Sequence, residues 1–347
     1  MDTTGRRVLV TGASRYLGLR CAARLAADER VDALFGVDLT EPVAPVPRME
    51  FVRADIRSPL VARLLDATGV DTIVHTNVSS TTGAGRREMK ETNVIGTMQL
   101  LAAAQHAEHV TRVVVKSSTA VYGAAPGDPS ILTEDHAARH ARLSGYAKDC
   151  ADAEAYARDL ARRRPDIAVA VLRTGSVAGP TVRTSMTQYL SLPVVPTALG
   201  YDPRLQLLHE DDAADALHTA ATSDCRGAFN VSGDGVVYLS QAVRMLGRVP
   251  LPVARPAGTA AAQLVRALGI VEFPLDQLDV IVHGQVVDTR RARAAFGFAP
   301  AYTTAATIED FRARRAPEPE PGRAPREPWE RALFDFLRAK SWEEVTV

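Results

Sequence analysis

The segment VLVTGASRYLG, residues 8–18, constrains the fold of this chain more than any other. The apolar stretch from Arg6 to Thr11 predicts a buried strand, and the pattern after it predicts a helix over about 17–27. Gly12 permits the tight turn between the two elements, and Gly18 allows the helix to pack closely on the sheet. Because backbone N–H groups at a helix start bind phosphates, the segment predicts a dinucleotide pyrophosphate site.

Strand and helix patterns continue to alternate through the first half of the chain, which predicts an α/β fold with a doubly wound parallel sheet of the Rossmann type. Further strands are expected at 33–38, 50–53, 72–76, 112–117, 168–172 and 227–232. Helical patterns lie at 60–67, 88–107 and 146–164. In HEDDAADALHTAA, residues 209–221, we expect a helix start capped by Asp211 or Asp212 rather than a metal site.

The second half of the chain predicts a smaller lobe. We expect an NAD(P)-binding domain at 1–175 plus about 211–236, and a substrate-binding lobe at 176–210 and 237–310 with a lid at 258–285. Residues 311–347 are expected to form a Pro-rich linker and a terminal helix, which docks on its own domain or on a twin subunit. The protein is therefore expected to be a monomer or a homodimer.

Composition narrows the class of function. The 347 residues contain 41 Lys+Arg and 41 Asp+Glu, so no excess charge indicates nucleic acid or a membrane surface as a partner. No apolar run approaches the roughly 20 residues that span a bilayer, and the start has no secretory pattern. Cys21, Cys150 and Cys225 form neither a disulfide framework nor a metal pattern, so free thiols are expected. We expect a cytoplasmic protein that acts on a small molecule.

Two residues bear on the choice of cofactor. Asp38 ends the second strand about 20 residues after the glycine turn, where a carboxylate accepts hydrogen bonds from ribose hydroxyls and repels a 2′-phosphate. Arg15 replaces the middle glycine of the turn, and its cation is suited to a pyrophosphate or to a 2′-phosphate. The first residue favours NADH and the second is compatible with NADPH, so both cofactors remain open.

Over about residues 6–310 the chain resembles the extended short-chain dehydrogenase/reductase family, the group of nucleotide-sugar epimerases and dehydratases. The resemblance is carried by TGASRYLG, FVRADIRSP, IVHTNVSS, ETNVIGTMQLLAAA, VVVKSSTAVYGA, YAKDCADAE, VLRTGSVAGP and LLHEDDAADAL. It implies that Ser118 and Tyr146 are catalytic and that Ser118, Tyr146 and Ser176 contact substrate. The cofactor residues that it implies are Gly12, Ser14, Arg15, Tyr16, Leu17, Gly18, Asp38, Asp55, Ile56, Thr76, Asn77, Val78, Asn93, Ser117, Thr174 and Gly175.

The chain departs from the family's pattern at its catalytic lysine. Four residues after Tyr146, where the family has that lysine, this chain has Cys150. Lys148 is expected to be a surface residue, because two residues along a helix is not one turn. In the sugar epimerases an asparagine lies at the place of Ser176, and the segment at 75–80, HTNVSS, is bulkier than the family's small-residue pattern. Both changes weaken a nucleotide-sugar interpretation.

The missing lysine favours reduction over oxidation. Without its charge, Tyr146 is expected to keep a pKa of about 10, so only about one molecule in a thousand would be ionised at neutral pH. An enzyme that first oxidises an alcohol needs the phenolate, whereas a ketone reductase needs the neutral phenol. We therefore expect an NAD(P)H-dependent ketoreductase that reduces a carbonyl of a bulky substrate, aromatic and polyketide-like, with Ser118 and Tyr146 at the oxygen or with the substrate supplying the proton.

The chain is also similar to an actinobacterial epimerase-like subgroup with an incomplete catalytic motif, and to the simocyclinone-type angucyclinone ketoreductases. Two alternatives stay open. One is a nucleotide-sugar epimerase or dehydratase that uses another base, and the other is an NAD(P)-binding protein without turnover.

Overall fold

The structure is a computed structural model that describes residues 5–80, 85–136, 143, 145–253 and 278–313. Most of the predicted lid, the Pro-rich linker and the predicted terminal helix lie outside these residues. No helix of the described part is long and apolar enough to cross a membrane. The described strands, in chain order, are β1 (Arg6–Thr11), β2 (Val31–Asp38), β3 (Met49–Arg53), β4 (Thr72–His75), β5 (Arg112–Ser118), β6 (Ala168–Thr174), β7 (Ser176–Ala178), β8 (Val194–Ala198), β9 (Arg204–Leu205), β10 (Leu207–His209), β11 (Gly227–Val231), β12 (Val237–Tyr238) and β13 (Val249–Val253).

The helices follow the strands in the alternating order that the sequence predicts. They are α1 (Tyr16–Ala27), α2 (Leu60–Thr68), α3 (Arg86–Lys90), α4 (Thr97–His106), α5 (Gly145–Arg163), α6 (Ser185–Leu190), α7 (Glu210–Ala221), α8 (Leu239–Met245), α9 (Leu278–His283), α10 (Arg290–Phe296) and α11 (Thr304–Ala313). A π-helical turn, Glu91–Gly96, joins α3 to α4, and a 3₁₀ turn, Thr119–Tyr122, follows β5.

Seven strands form one parallel sheet in the order β11-β6-β5-β4-β1-β2-β3. The chain starts at β1 in the interior, builds outward through β2 and β3, and then returns to β4 on the other side of β1. This reversal brings the carboxyl ends of β1 and β4 together at the switch point, where ligands of doubly wound sheets bind. The predicted α/β doubly wound fold is confirmed.

Both faces of the sheet are covered by helices. Side chains alternate along a strand, so Val8 and Val10 pack on one face and Leu9 on the other, and all three are fully buried. The first face is covered by α1 and α7, and the second by α2, α4 and α5. This double coverage explains why the central strands are continuous apolar runs rather than alternating ones.

The short strands of the second half form pairs outside the main sheet. β7 pairs with β10, β8 with β13, and β9 with β12. They share an apolar cluster with α6, α8 and α11, in which the largest fully buried side chains are Leu190, Leu207 and Leu239. A separate core therefore supports the residues that face the carboxyl edge of the sheet from this side.

The start of α7 differs from its prediction. His209 is the cap, because its Nδ1 accepts a hydrogen bond from the backbone N–H of Asp211 at 3.1 Å. Asp212 instead accepts from the backbone N–H groups of Ala301 and Tyr302 at 2.8 and 3.1 Å. The cap predicted at Asp211 or Asp212 is therefore wrong, because a contact with residues about 90 positions away decides what Asp212 does.

Candidate functional site

The glycine turn after β1 leaves no room for side chains. Gly12 has φ +73°, and a Cβ there would overlap the side chain of Asn77 and lie 2.8 Å from Thr76 Oγ1. A Cβ on Gly18 would overlap the carbonyl oxygen of Gly12, so α1 approaches the turn as closely as its backbone allows. Arg15 stands just before α1 in an extended conformation, and its side chain does not cap the helix. The backbone N–H groups in the first turn of α1 therefore receive no hydrogen bond from the Arg15 side chain. Such N–H groups at a helix start can bind a phosphate.

Asp38 at the end of β2 holds the neighbouring loop. Its carboxylate accepts from the backbone N–H groups of Leu39 at 2.8 Å and Ser14 at 3.2 Å, and the side chain is almost fully buried. The hydroxyl of Ser14 donates to the carbonyl of Thr40. The glycine turn and the end of β2 thus form one cradle, in which two backbone N–H groups fix the Asp38 carboxylate.

The segment after β4 forms the floor of the cradle. Thr76 donates its hydroxyl proton to the carbonyl oxygen of Thr11 at 2.7 Å. Asn77 is buried, and its Oδ1 has no hydrogen-bond partner among the described residues. Because an unsatisfied buried acceptor is costly, this oxygen indicates a donor that a ligand supplies. The cradle therefore fits a dinucleotide, which the turn, Asp38 and Asn77 would hold.

Asp55 and Ile56, which follow β3, differ in their surroundings. Asp55 pairs with Arg57 at 2.6 Å, and this guanidinium lowers the pKa of its carboxyl group. Ile56 is buried and packs on Leu65 and its neighbours. Tyr16, at the start of α1, accepts a hydrogen bond from the Thr181 hydroxyl at 2.8 Å, so it connects the phosphate side of the cleft to the second half of the chain.

Asn93 lies in the π-helical turn and connects two parts of the cleft. Its amide accepts from the backbone N–H of Ser79 at 3.0 Å and donates to the Ser79 carbonyl at 2.9 Å. The same amide nitrogen donates to Asp149 of α5 at 3.2 Å, and Arg86 also binds that buried carboxylate. The turn therefore fixes α5, on which Tyr146 lies, relative to the end of β4. Single π-turns of this kind are frequent at functional sites.

The two predicted catalytic residues meet. Ser118 is the last residue of β5, Tyr146 is in the first turn of α5, and their side chains are hydrogen bonded. Ser118 Oγ also accepts from the backbone N–H of Ala120 at 3.2 Å, which orients the hydroxyl. Only about 5% of Tyr146 is exposed.

Lys116 also reaches Tyr146, a contact that was not predicted from the sequence. Its Nζ donates to the phenolic oxygen of Tyr146 at 2.9 Å and to the carbonyl of Val78 at 2.8 Å. The expectation that no cation lies at Tyr146 is therefore wrong. The family's lysine position on α5 is Cys150, but Lys116 of β5 places an ammonium group at the phenol. One signal was available. Lys116 interrupts the apolar run of β5 two residues before Ser118, and side chains two apart on a strand share a face.

Burial governs the proton affinities of this cluster. It raises the pKa of Tyr146 well above its usual value, so the expected value of about 10 is also wrong. It lowers the pKa of Lys116, and it raises that of the Cys150 thiol to about 12. His75 is buried between the hydroxyls of Thr11 and Thr97, and burial lowers its pKa to about 3. At neutral pH His75 is therefore uncharged, and its ring connects Thr11 and Thr97 beneath the cleft.

The remaining predicted cofactor residues lie deeper. Ser117 points away from Ser118 and donates to Glu154 at 2.7 Å. Thr174 donates to the carbonyl of Ser117 at 2.9 Å, so it joins β6 to β5. A Cβ on Gly175 would lie 2.6 Å from Ser232 Oγ, a buried hydroxyl without a partner among the described residues. These side chains support the edge of the sheet.

Ser176 lines a small cavity, partly open to solvent, beside the catalytic pair. Thr119, the residue after Ser118, contributes to the same wall, and Arg204 is the cavity's charged lining residue. The other lining residues are Gly175, Met186, Leu205, Gln206, Leu207, Ser232, Val280, Gln285 and Val287. This cavity is the candidate place for a substrate.

Lys148 pairs with Asp152 at the surface, as expected. All three cysteines are buried and free, which also agrees with the sequence analysis.

Curated proteins of unknown activity match almost the whole chain. The uncharacterized protein Rv0501 of Mycobacterium tuberculosis is 42% identical over 342 residues, covering 97% of this chain and 88% of that protein. The uncharacterized protein y4nG of Sinorhizobium fredii is 27% identical over 319 residues, covering 86% and 76%.

Solved structures share the fold. The UDP-glucuronic acid 4-epimerase of Bacillus cereus, in complex with NAD, has a TM-score of 0.68 at 17% identity and covers 89% of this chain and 98% of that one. DesIV of Streptomyces venezuelae, a dTDP-glucose 4,6-dehydratase with NAD and TYD bound, has a TM-score of 0.67 at 23% identity, covering 87% and 94%.

Residues 8–232, well over half of the chain, match the model of the NAD dependent epimerase/dehydratase family. The matched range contains the glycine turn, the cradle, Ser118 and Tyr146. The match confirms the resemblance to the extended short-chain dehydrogenase/reductases and the expected nicotinamide cofactor. This chain belongs to the NAD dependent epimerase/dehydratase family.

Proposed function

We propose that the protein is an NAD(P)H-dependent ketoreductase, which converts a carbonyl to a secondary alcohol. The observation that carries the direction of the reaction is the burial of Tyr146. Burial raises the pKa of this phenol although the Lys116 ammonium lies 2.9 Å from its oxygen, so we infer that burial outweighs the nearby cation and that Tyr146 keeps its proton at neutral pH. A reductase needs a protonated donor at the substrate oxygen, whereas a reaction that begins by oxidising an alcohol needs the phenolate.

The proposed chemistry uses Ser118 and Tyr146 at the carbonyl oxygen. The nicotinamide, when bound, supplies the hydride. Ser118 donates a hydrogen bond to the carbonyl oxygen, and its own hydroxyl is oriented by the N–H of Ala120. As negative charge develops on that oxygen, Tyr146 transfers its phenolic proton to it, and the alcohol leaves. The two donors are in place before the reaction, so little reorganisation is needed when charge forms.

The glycine turn, Asp38, Asn77 and the residues around them would hold the cofactor. The buried carboxylate of Asp38, already fixed by two backbone N–H groups, favours NADH over NADPH. We propose that 176–210 and 237–310 form the substrate lobe. We propose a bulky and partly aromatic ketone as substrate, and the apolar part of the cavity wall, with Met186, Leu205 and Leu207, would contact its apolar part.

A nucleotide-sugar epimerase is the second candidate, and Arg204 is the observation that favours it. Arg204 lines the same cavity as Ser176, and guanidinium groups bind phosphates in pairs of hydrogen bonds. This side chain donates to the carbonyl of Ser130 at 2.8 Å. A sugar diphosphate would therefore have to share or displace this contact.

A substrate panel tests the proposal. The purified protein is incubated with NADH or NADPH and aromatic ketones, or with NAD and UDP- or dTDP-sugars. We expect consumption of reduced cofactor with ketones, and a loss of about 100-fold or more in kcat for Tyr146→Phe. Tyr156→Phe, on the same helix, is the matched control and should retain activity. Interconversion of sugars without ketone reduction would favour the second candidate, and tight cofactor binding without any turnover would indicate a binding protein.

A further inference from the structure

We propose that Lys116 of β5 supplies the cation that the family supplies four residues after its tyrosine, so that the active-site lysine has moved from a helix to a strand. The inference rests on the proposed function, because it assigns a role in the same proton transfer. It goes beyond that function by adding a residue that the family's sequence pattern does not contain.

The geometry that carries the inference is the double anchoring of one ammonium group. Lys116 Nζ donates to Tyr146 at 2.9 Å and to the carbonyl of Val78 at 2.8 Å. The carbonyl fixes the nitrogen at the end of β4, and the phenol lies within reach from α5. Lys116 and Ser118 share a face of β5, so the strand delivers both the cation and the hydroxyl to the same phenolic oxygen.

Cys150 also contacts Tyr146, through a hydrogen bond between its thiol and the phenol. It lies one helical turn after Tyr146, is fully buried, and packs in an apolar cluster with Val78 and Val121. A lysine at this position would bring a second ammonium group towards Lys116. Two like charges at close range in a buried site repel strongly, so we infer that the site accommodates one of the two lysines. A small neutral thiol at position 150 is therefore compatible with a charged lysine at position 116, whereas a second lysine is not.

The proposed role follows from proton balance. When Tyr146 gives its proton to the substrate oxygen, a phenolate remains in a buried site. The adjacent ammonium stabilises this anion, and it can return one proton to the oxygen and become a neutral amine. That amine is then reprotonated from solvent, which restores both groups. A charge-assisted hydrogen bond of this kind is stronger than one between neutral groups, so its removal should slow turnover.

Exchange of the two residues is the first test. Lys116→Met keeps the length of the side chain and removes its charge, and we expect kcat for ketone reduction to fall about 100-fold, with little change in the KM for cofactor. The double variant Lys116→Met/Cys150→Lys restores the family's arrangement. Its kcat should be at least about tenfold higher than that of Lys116→Met. Lys148→Met, which removes a surface lysine two residues from Tyr146, is the matched control and should be unchanged.

Lysine NMR is the second test and needs no turnover. The chain has four lysines, Lys90, Lys116, Lys148 and Lys340, so side-chain labelling gives four signals, and Lys116→Met identifies the one of interest. We expect Lys116 to titrate below the pH that is usual for a lysine side chain, because burial lowers its pKa. Tyr146→Phe removes its phenolic acceptor and should lower that pKa further, whereas Tyr156→Phe should leave it unchanged.

The outcomes separate this inference from the proposed function. If no ketone is reduced but Lys116 responds to Tyr146→Phe, the proposed function fails and the contact stands. The inference is overturned if Lys116 titrates at the usual pH of a lysine side chain and does not respond to Tyr146→Phe, or if Lys116→Met keeps full activity. Melting temperatures establish that each variant is folded. If the double variant does not fold, Lys116→Met and the titration still decide.

Discussion

Gly18 faces the carbonyl group of Gly12 so closely that a Cβ atom on Gly18 would lie 2.7 Å from the carbonyl carbon. The obstacle is backbone, which cannot rotate aside as a flexible side chain can. The start of α1 and the glycine turn are therefore held at their closest approach, and the cofactor cradle depends on that contact.

Gly18→Ala should disturb both the fold and the cradle. We expect a loss of about 1–3 kcal/mol in the free energy of unfolding, as for other overpacked sites, together with weaker NADH binding. Chemical denaturation and cofactor titration measure the two effects. Gly85→Ala is the matched control, because a Cβ there would meet nothing within 4 Å and its φ is −63°. Equal stability and affinity for both variants would contradict the prediction.

A buried ion pair between Glu154 and Arg173 should dominate the stability of the edge of the sheet near the site. The carboxylate binds the guanidinium at 2.7 Å, and both side chains are almost fully buried. Glu154→Gln removes one charge and leaves the other unpaired, so we expect a loss of about 3 kcal/mol or more in urea denaturation.

The matched control for this pair is Asp152→Asn, which breaks the surface pair between Lys148 and Asp152 on the same helix. Exposed pairs contribute less than about 1 kcal/mol, so this variant should unfold nearly as the wild type does. A loss for Glu154→Gln as small as that of the control would show that the buried pair is not required.

Asp38 should set the preference for NADH. Its carboxylate is fixed by the backbone N–H groups of Ser14 and Leu39, so it cannot swing away from a 2′-phosphate. Asp38→Asn keeps the shape and removes the repulsion, and we expect the ratio of NADH to NADPH affinity to fall about tenfold, or about 1.4 kcal/mol. Arg15→Gln should change the ratio in the opposite direction. A wild type that binds NADPH more tightly would contradict this assignment.

The sequence predicted the elements of this fold better than it predicted the contacts between them. β1 and β2 end at Thr11 and Asp38, as predicted, because the buried apolar run of each strand stops there. Of the residues around the phenol, the family resemblance predicted Ser118 and Tyr146, which the structure brings together. Lys116 was missed because its contact joins a strand to a helix 30 residues away. The expected pKa of Tyr146 was wrong for a related reason. The pKa depends on how deeply the phenol is buried, and residue spacing in the sequence does not show this.

The protonation of His75 should make the protein lose stability as the pH falls. Burial lowers its pKa in the folded state to about 3, whereas the unfolded value is near 6.5, so the unfolded chain binds the proton first. The contribution of neutral His75 to the free energy of unfolding is fully present above about pH 6.5 and is lost progressively towards pH 3. Between pH 7 and pH 5 we expect this group alone to cost about 2 kcal/mol, at 1.36 kcal/mol per pH unit below its unfolded pKa.

Urea denaturation at several pH values measures this slope, and His75→Gln identifies its source. Glutamine keeps polar contact with Thr11 and Thr97 but does not titrate in this range. The variant should be less stable at pH 7 and show a shallower loss between pH 7 and pH 5. His106→Gln, at the end of α4, is the control and should keep the wild-type slope. If His75→Gln also keeps that slope, the acid sensitivity arises elsewhere and His75 is not the buried base that its surroundings indicate.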